Sequence, residues 1–182
     1  DSNYTRWTSV DMGPGIDVVK EFQDAAKAHG LRYGSTTHLA RSLEWYRVAK
    51  GTPDEPYDGV DPENYDLYHP PYDPNKPEDA HIAEDWAAMW NKRIKDLIEN
   101  YELDLLYFDG GIPFGEQGLD VVASFYNDNL ERHAGTENGV MCIKHWPHEA
   151  GSEFTGVALM DYERKKSGEL KAEPWQTDDH IG

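Results

Sequence analysis

Cysteine is nearly absent from this chain: Cys142 stands alone, so no disulfide can form within it. Its place in a predicted strand points to a buried thiol rather than a reactive one. Basic residues are also scarce. Seventeen Lys and Arg face thirty-five Asp and Glu, for a formal charge of −18, which repels a phosphate backbone and an anionic lipid surface alike. Neither nucleic acid nor a membrane is expected as a partner. No apolar run approaches the ~18 residues of a membrane span, and no charged-then-apolar leader opens the chain, so any signal peptide is expected upstream of Asp1. There is no P-loop and no G-x-G-x-x-G. "DPENYDLYHPPYDP" lacks the alternating acids, the glycine and the terminal Glu of a calcium loop.

Aromatic residues, by contrast, are plentiful. Six Trp and eleven Tyr argue for a folded chain despite its low mean hydropathy, because disordered acidic chains are poor in aromatics. From Ile16 to His29 apolar residues fall at helical spacing, with Asp17 in the first turn and Gly30 where a left-handed residue ends a helix. "LRYGSTTHL", residues 31–39, reads as a strand and its exit. Residues 78–101 carry one apolar stripe, Ile82, Trp86, Met89, Trp90, Ile94, Leu97 and Ile98, and lead into the strand "LDLLYF" at 103–108. A third helix is expected over 119–133 with Val122, Ala123, Tyr126 and Leu130 on its apolar face. "GVMCIK" at 139–144 and "TGVALMDY" at 155–162 complete four strands.

This alternation points to βαβ units and a parallel sheet covered by helices. The link from Lys144 to Thr155 is short for a parallel crossover, so it is a bare loop or one of the two strands is misread. Residues 51–77 read as a long functional loop, packed through Tyr57, Tyr65, Tyr68 and Tyr72. The chain opens in polar loop and ends at "DDHIG" where another element is due. A piece of a larger barrel or sheet is expected.

In parallel α/β architectures the carboxyl ends of the strands face the active site. His38, Asp109, Lys144 with His145, and Asp161 with Glu163 all fall at such ends. Asp109 before two glycines is equally readable as a turn former that caps local N–H groups. For Glu163 the run "DYERKKSGE" favours a solvated cluster with Arg164, Lys165 or Lys166. His38 alone is more often structural than catalytic, and Trp45 is by default a core or groove residue. Aromatics and acids gathered near strand ends nevertheless suit a sugar, whose apolar ring face stacks while carboxylates take its hydroxyls.

Three stretches together resemble the α-L-fucosidases of glycoside hydrolase family 29. They are "YTRWTSVDMGPGIDVVKEFQDAAKAHGLRYG" at 4–34, "YELDLLYFDGGIPF" at 101–114 and "DYERKKSGELKAEPWQTDDHIG" at 161–182. The resemblance implies an α/β fold that is part of a (β/α)₈-like TIM barrel, incomplete at both ends, with residues 1–182 as the central portion. A whole barrel takes about 250 residues, so the 182-residue chain is expected to be inactive by itself. It also implies Asp109 as nucleophile, Glu163 as acid/base, and Trp7, His38, Trp45, Lys144 and His145 as substrate contacts. Lys144 stands where some members carry an arginine, and Thr36 where some carry a tyrosine.

The implied reaction is retaining hydrolysis of terminal α-L-fucosyl residues from glycans by double displacement, with no metal or organic cofactor. Its two carboxyl groups must lie about 5–5.5 Å apart, one ionised and one protonated. The partner is a fucosylated oligosaccharide or glycoconjugate, and the compartment secreted, periplasmic or lysosome-like. Two other readings remain: a non-catalytic carbohydrate-binding homologue, and a metal-dependent hydrolase using Asp109, His145 and His148.

Overall fold

The structure, a computed structural model, describes residues 1–46, 58–144, 156–164 and 170–179. Five strands among these residues form one sheet: β1 Gly34–Thr37, β2 Leu105–Phe108, β3 Val140–Lys144, β4 Leu159–Asp161 and β5 Trp175–Gln176. Every neighbouring pair is parallel and the spatial order follows the chain order. A doubly wound sheet would reverse its order at a switch point; this one does not.

The first strand is shorter than the 31–39 expected, because Leu31 points to solvent at 64 % exposure. It starts at Gly34, where a Cβ would lie 2.8 Å from Leu105 Cβ, so the two strands approach closely only without one. The fourth begins at Leu159 rather than Thr155. Its connection from β3 thus runs over 145–158, within the usual crossover length of about a dozen residues. Both strands of that pair are real, and Lys144 aligns with Asp161. Strand β5, flanked by Pro174 and too short to show a period, is not visible in the sequence.

Helix α1, Val18–Ala28, is capped by Asp17, whose side chain accepts from Lys20 N at 3.0 Å, and ends before Gly30 at φ +68°. Two short helices follow, α2 Ser42–Trp45 and α3 Tyr65–Tyr68. The second lies inside the stretch read as pure loop, together with 3₁₀ turns at Asp58–Val60 and Pro62–Asn64. Arg6 pins that stretch by donating to Asp66 Oδ2 at 2.9 Å and Glu63 O at 2.8 Å. Of its four tyrosines, Tyr65, Tyr68 and Tyr72 are half-buried; Tyr57 lies outside the described residues.

The long helices α4, Ala80–Asn100, and α5, Glu116–Arg132, build the core. Trp86, Trp90, Ile94 and Ile98 of the α4 stripe are buried against Leu106, Phe108, Met141 and Ile143 of the sheet. Trp90 is fully enclosed, 5.7 Å from the Phe108 ring and 5.4 Å from that of Phe114. Helix α5 starts three residues earlier than expected and buries Val121, Val122 and Phe125, while Ala123 is exposed. Its apolar face therefore centres on Phe125, three and four residues from the valines, because the largest side chain fixes the rotation. The opposite face of the sheet is polar: Tyr107, Cys142, Lys144, Asp161 and Gln176 meet there.

Candidate active site

Asp109 is the first residue beyond β2, and its N–H still donates to Thr37 O at 3.1 Å. The ladder thus continues one step, and the alternation of a strand sets the Asp109 side chain on the face of Tyr107, not that of Phe108. Gly110 O accepts from Lys144 N at 2.9 Å, which ties the turn after Asp109 to the end of β3. The carboxylate, 28 % exposed, has two cationic or protonatable neighbours. His38 Nε2 lies 2.7 Å from Oδ2 and Lys144 Nζ lies 3.7 Å from Oδ1. Among the described residues no backbone N–H donates to it, as a turn-capping aspartate would require. A small cleft lined by Thr37, His38, Arg41, Asp109, Gly111 and Pro113 opens beside it.

Lys144 is 2 % exposed and pairs also with Asp178, while its ammonium sits 5.7 Å over the Tyr107 ring. Burial works to lower the Lys144 pKa, but the hydrogen bond to Asp178 and the charges of Asp109, Asp161 and Asp178 raise it on balance. It stays an ammonium. Asp161, wholly buried, accepts from Tyr107 Oη at 3.0 Å and Gln176 Nε2 at 2.6 Å on one oxygen, and from Asp178 N at 3.1 Å on the other. Burial and then the bond to Asp161 raise the Tyr107 pKa, so it remains a phenol donor. Burial, with Asp161 nearby, pushes the Cys142 thiol up to about 11. The thiol is buried and inert at neutral pH.

The other candidates are distributed. Trp45, on α2, is 54 % exposed and meets the His38 ring edge-on at 5.0 Å, so it stands beside His38 but is not among the described residues that line the Asp109 cleft. Glu163 follows β4, with its side chain one-third exposed and Arg164 Nε 3.9 Å away. Trp7 is half-buried under the Arg6 guanidinium and lines a different groove, with Val19, Thr36, Ile94 and Leu97. His145 and His148 lie outside the described residues. Sequence reasoning missed Tyr107, Gln176 and Asp178. Tyr107 had a signal, since it sits two positions before Asp109 on a strand; Gln176 lies in a strand without one, and Asp178 two residues beyond that strand.

The sequence profile of the family described as "Alpha-L-fucosidase" matches residues 1–182. The chain belongs to the alpha-L-fucosidase family. The resemblance carried by its three stretches therefore holds over the whole chain. It is 30 % identical over 105 residues to an alpha-L-fucosidase of Dictyostelium discoideum, covering 57 % of this chain and 18 % of that protein. A solved alpha-L-fucosidase matches with a TM-score of 0.51 at 21 % identity, over 97 % of this chain and 33 % of the other. That structure speaks for a shared α/β fold with a parallel sheet. The chain spans a third or less of these relatives. In this alpha-L-fucosidase family member the polar face of the sheet, where Asp109, His38 and Lys144 meet, is the place to look for chemistry.

Proposed function

We propose that the protein carrying this chain is a retaining exo-glycosidase that removes terminal α-L-fucosyl residues from glycans, with Asp109 as nucleophile and Glu163 as acid/base. The observation that supports this best is the Asp109 carboxylate itself: at the carboxyl end of a strand, partly open, with His38 and Lys144 directed at it and, among the described residues, no backbone N–H using it as a cap. Five parallel strands in chain order fit the middle of a (β/α)₈-like barrel. Residues 1–182 are then its central portion, and this portion alone does not turn over substrate, because an open five-stranded sheet does not enclose a sugar.

Asp109 attacks the anomeric carbon while Glu163 gives its proton to the leaving oxygen; water then reverses both roles at a glycosyl ester. Lys144 and His38 hold the Asp109 carboxylate aimed at the anomeric carbon. Half-exposed Trp45 offers an apolar face to the fucose ring. His38 takes a sugar hydroxyl, and His145 is a further substrate contact by the family resemblance, whereas Trp7, in a separate groove, has among the described residues no contact with this cleft to support that role. No metal or organic cofactor enters the scheme.

In the full-length protein, Asp109→Ala is expected to lose turnover of an aryl α-L-fucoside by roughly 10³-fold or more and to regain it with azide as a fucosyl azide. Wild-type turnover in that variant, or fucose binding with no turnover in the unaltered protein, refutes the reading. Glu163→Ala is expected to spare aryl fucosides with good leaving groups and to impair natural glycans, which need protonation.

A further inference from the structure

The two candidate carboxyl groups stand on strands that are not neighbours. Asp109 follows β2 and Glu163 follows β4, with β3 between them. The ladder from β4 to β5 runs on past Asp161, through Tyr162 N to Gln176 O and Arg164 N to Asp178 O, each at 3.0 Å. Glu163 therefore keeps step with Asp161, two residues before it, as Asp109 does with Tyr107. Those two earlier residues are bonded to each other: Tyr107 Oη donates to Asp161 Oδ2 at 3.0 Å. Tyr107 is level with Cys142 on β3 and Asp161 with Lys144, so the bond crosses β3 diagonally on the polar face. Asp161 is fully buried and also accepts from Gln176 Nε2 at 2.6 Å and Asp178 N at 3.1 Å, which makes it a fixed anchor.

We propose that Tyr107 is a positioning residue, whose bond to Asp161 draws the ends of β2 and β4 together and thereby sets the distance between Asp109 and Glu163. The inference rests on those two being the catalytic carboxyl pair. Strands two apart in a sheet lie about 9.5 Å from each other at the backbone, whereas a retaining pair works at about 5–5.5 Å. The side chains close that gap only where the sheet curls toward its polar face. Backbone ladders join each strand to its neighbour but tolerate a wide range of angles between them. A side-chain tie from β2 to β4 narrows that range directly.

In the first step an electron pair of Asp109 bonds to the anomeric carbon as the bond from that carbon to the glycosidic oxygen breaks. The pair left on that oxygen takes the proton of Glu163. Both groups must reach one sugar at the same moment. If the strand ends part, Asp109 still meets the carbon, and what fails is delivery of the proton. The loss then grows with the basicity of the leaving oxygen. Tyr107 suits the role: burial and the bond itself keep it a phenol donor, and its ring passes under the Lys144 ammonium at 5.7 Å on the way across β3.

The test is Tyr107→Phe in the full-length protein, read with aryl α-L-fucosides whose leaving phenols span a range of acidity. Phe keeps the ring and removes only the tie. For the most basic leaving groups kcat/KM, which reports the first step, is expected to fall by roughly 10–100-fold, as for a reacting group displaced by about an ångström. The most acidic phenols, which leave without a proton, stay close to the unaltered protein. The plot of log kcat/KM against leaving-group pKa therefore steepens. Partial unfolding scales every substrate alike and leaves that slope unmoved, so the readout separates positioning from stability. Gln176→Leu removes a bond to the same Asp161 oxygen, but from the adjacent strand, and is expected to lower the thermal midpoint while keeping the slope. An unmoved slope in Tyr107→Phe overturns the proposal, as does an equal steepening in Gln176→Leu. Glu163→Ala on the same substrates separates the two ideas. If it leaves the slope unmoved, the acid/base assignment falls and this inference with it; if it steepens the slope and Tyr107→Phe does not, this inference alone falls.

Discussion

His69 holds an ionisable ring where ionisation is opposed. It closes α3 at φ +68°, its ring is buried edge-on to Trp86 at 4.4 Å, and Nε2 shares a hydrogen bond with Ser42 Oγ at 2.9 Å. Burial, and then the charge of Arg93, pull its pKa down to about 4. An unfolded His titrates near ~6.5, so between that value and about 4 the unfolded chain binds a proton the native chain refuses. The stability tied to His69 is present above the upper value and lost as pH falls through the window, by about 3 kcal/mol at its end. Urea midpoints at two pH values spanning the window check this: His69→Gln is expected to lose less stability on acidification than the unaltered protein. Equal losses refute it. Ser42 opens α2, which carries Trp45 against His38, so His69 also braces the short helix that packs on His38. At this scale Asp109 and Lys144 were legible as polar residues at strand ends. The burial of His69 was not, because it depends on Trp86 and Ser42 arriving from other elements.

The turn after Asp109 is held by an element contact at Gly118. This residue lies in the first turns of α5, and a Cβ there would come within 2.1 Å of Pro113 O and 2.7 Å of Ile112 Cγ2. Neither neighbour is the free end of a flexible side chain. Gly118→Ala is therefore expected to push α5 away from the turn, costing about 1–3 kcal/mol by overpacking. In the full-length protein it should lower kcat/KM as well, since Asp109 begins that turn. Thermal midpoints and aryl fucoside kinetics measure the two effects, and an unchanged midpoint would show that the helix can shift freely. The helices were readable because a stripe such as Trp86, Trp90, Ile94 and Ile98 recurs at the helical period. The rotation of α5 was less so, because Val122 and Ala123 lie side by side and only packing on the sheet chose between them. Strand β5 had no period to read in two residues.

Charge acts on the molecule as a whole. A net −18 over 182 residues repels itself, and the range of that repulsion shrinks from about 30 Å at roughly 0.01 M salt to about 8 Å at roughly 0.15 M. The thermal midpoint is expected to rise between these conditions by about 2–4 °C, the shift that ~1 kcal/mol gives in a chain of this size. A midpoint that falls would mean that ion pairs such as Lys95 with Asp120 and Lys27 with Glu102 outweigh the repulsion. Composition, the helical stripes, the strand that ends at Asp109 and the family resemblance all lay in the sequence, because each depends on residues near one another along the chain. The tertiary structure alone decided that the strands align in chain order, that Lys144 stands between Asp109 and Asp178, and that Asp161 anchors Tyr107 and Gln176. Those contacts join residues from separate strands, and register across a sheet follows from how the helices pack on its other face, which no local period encodes.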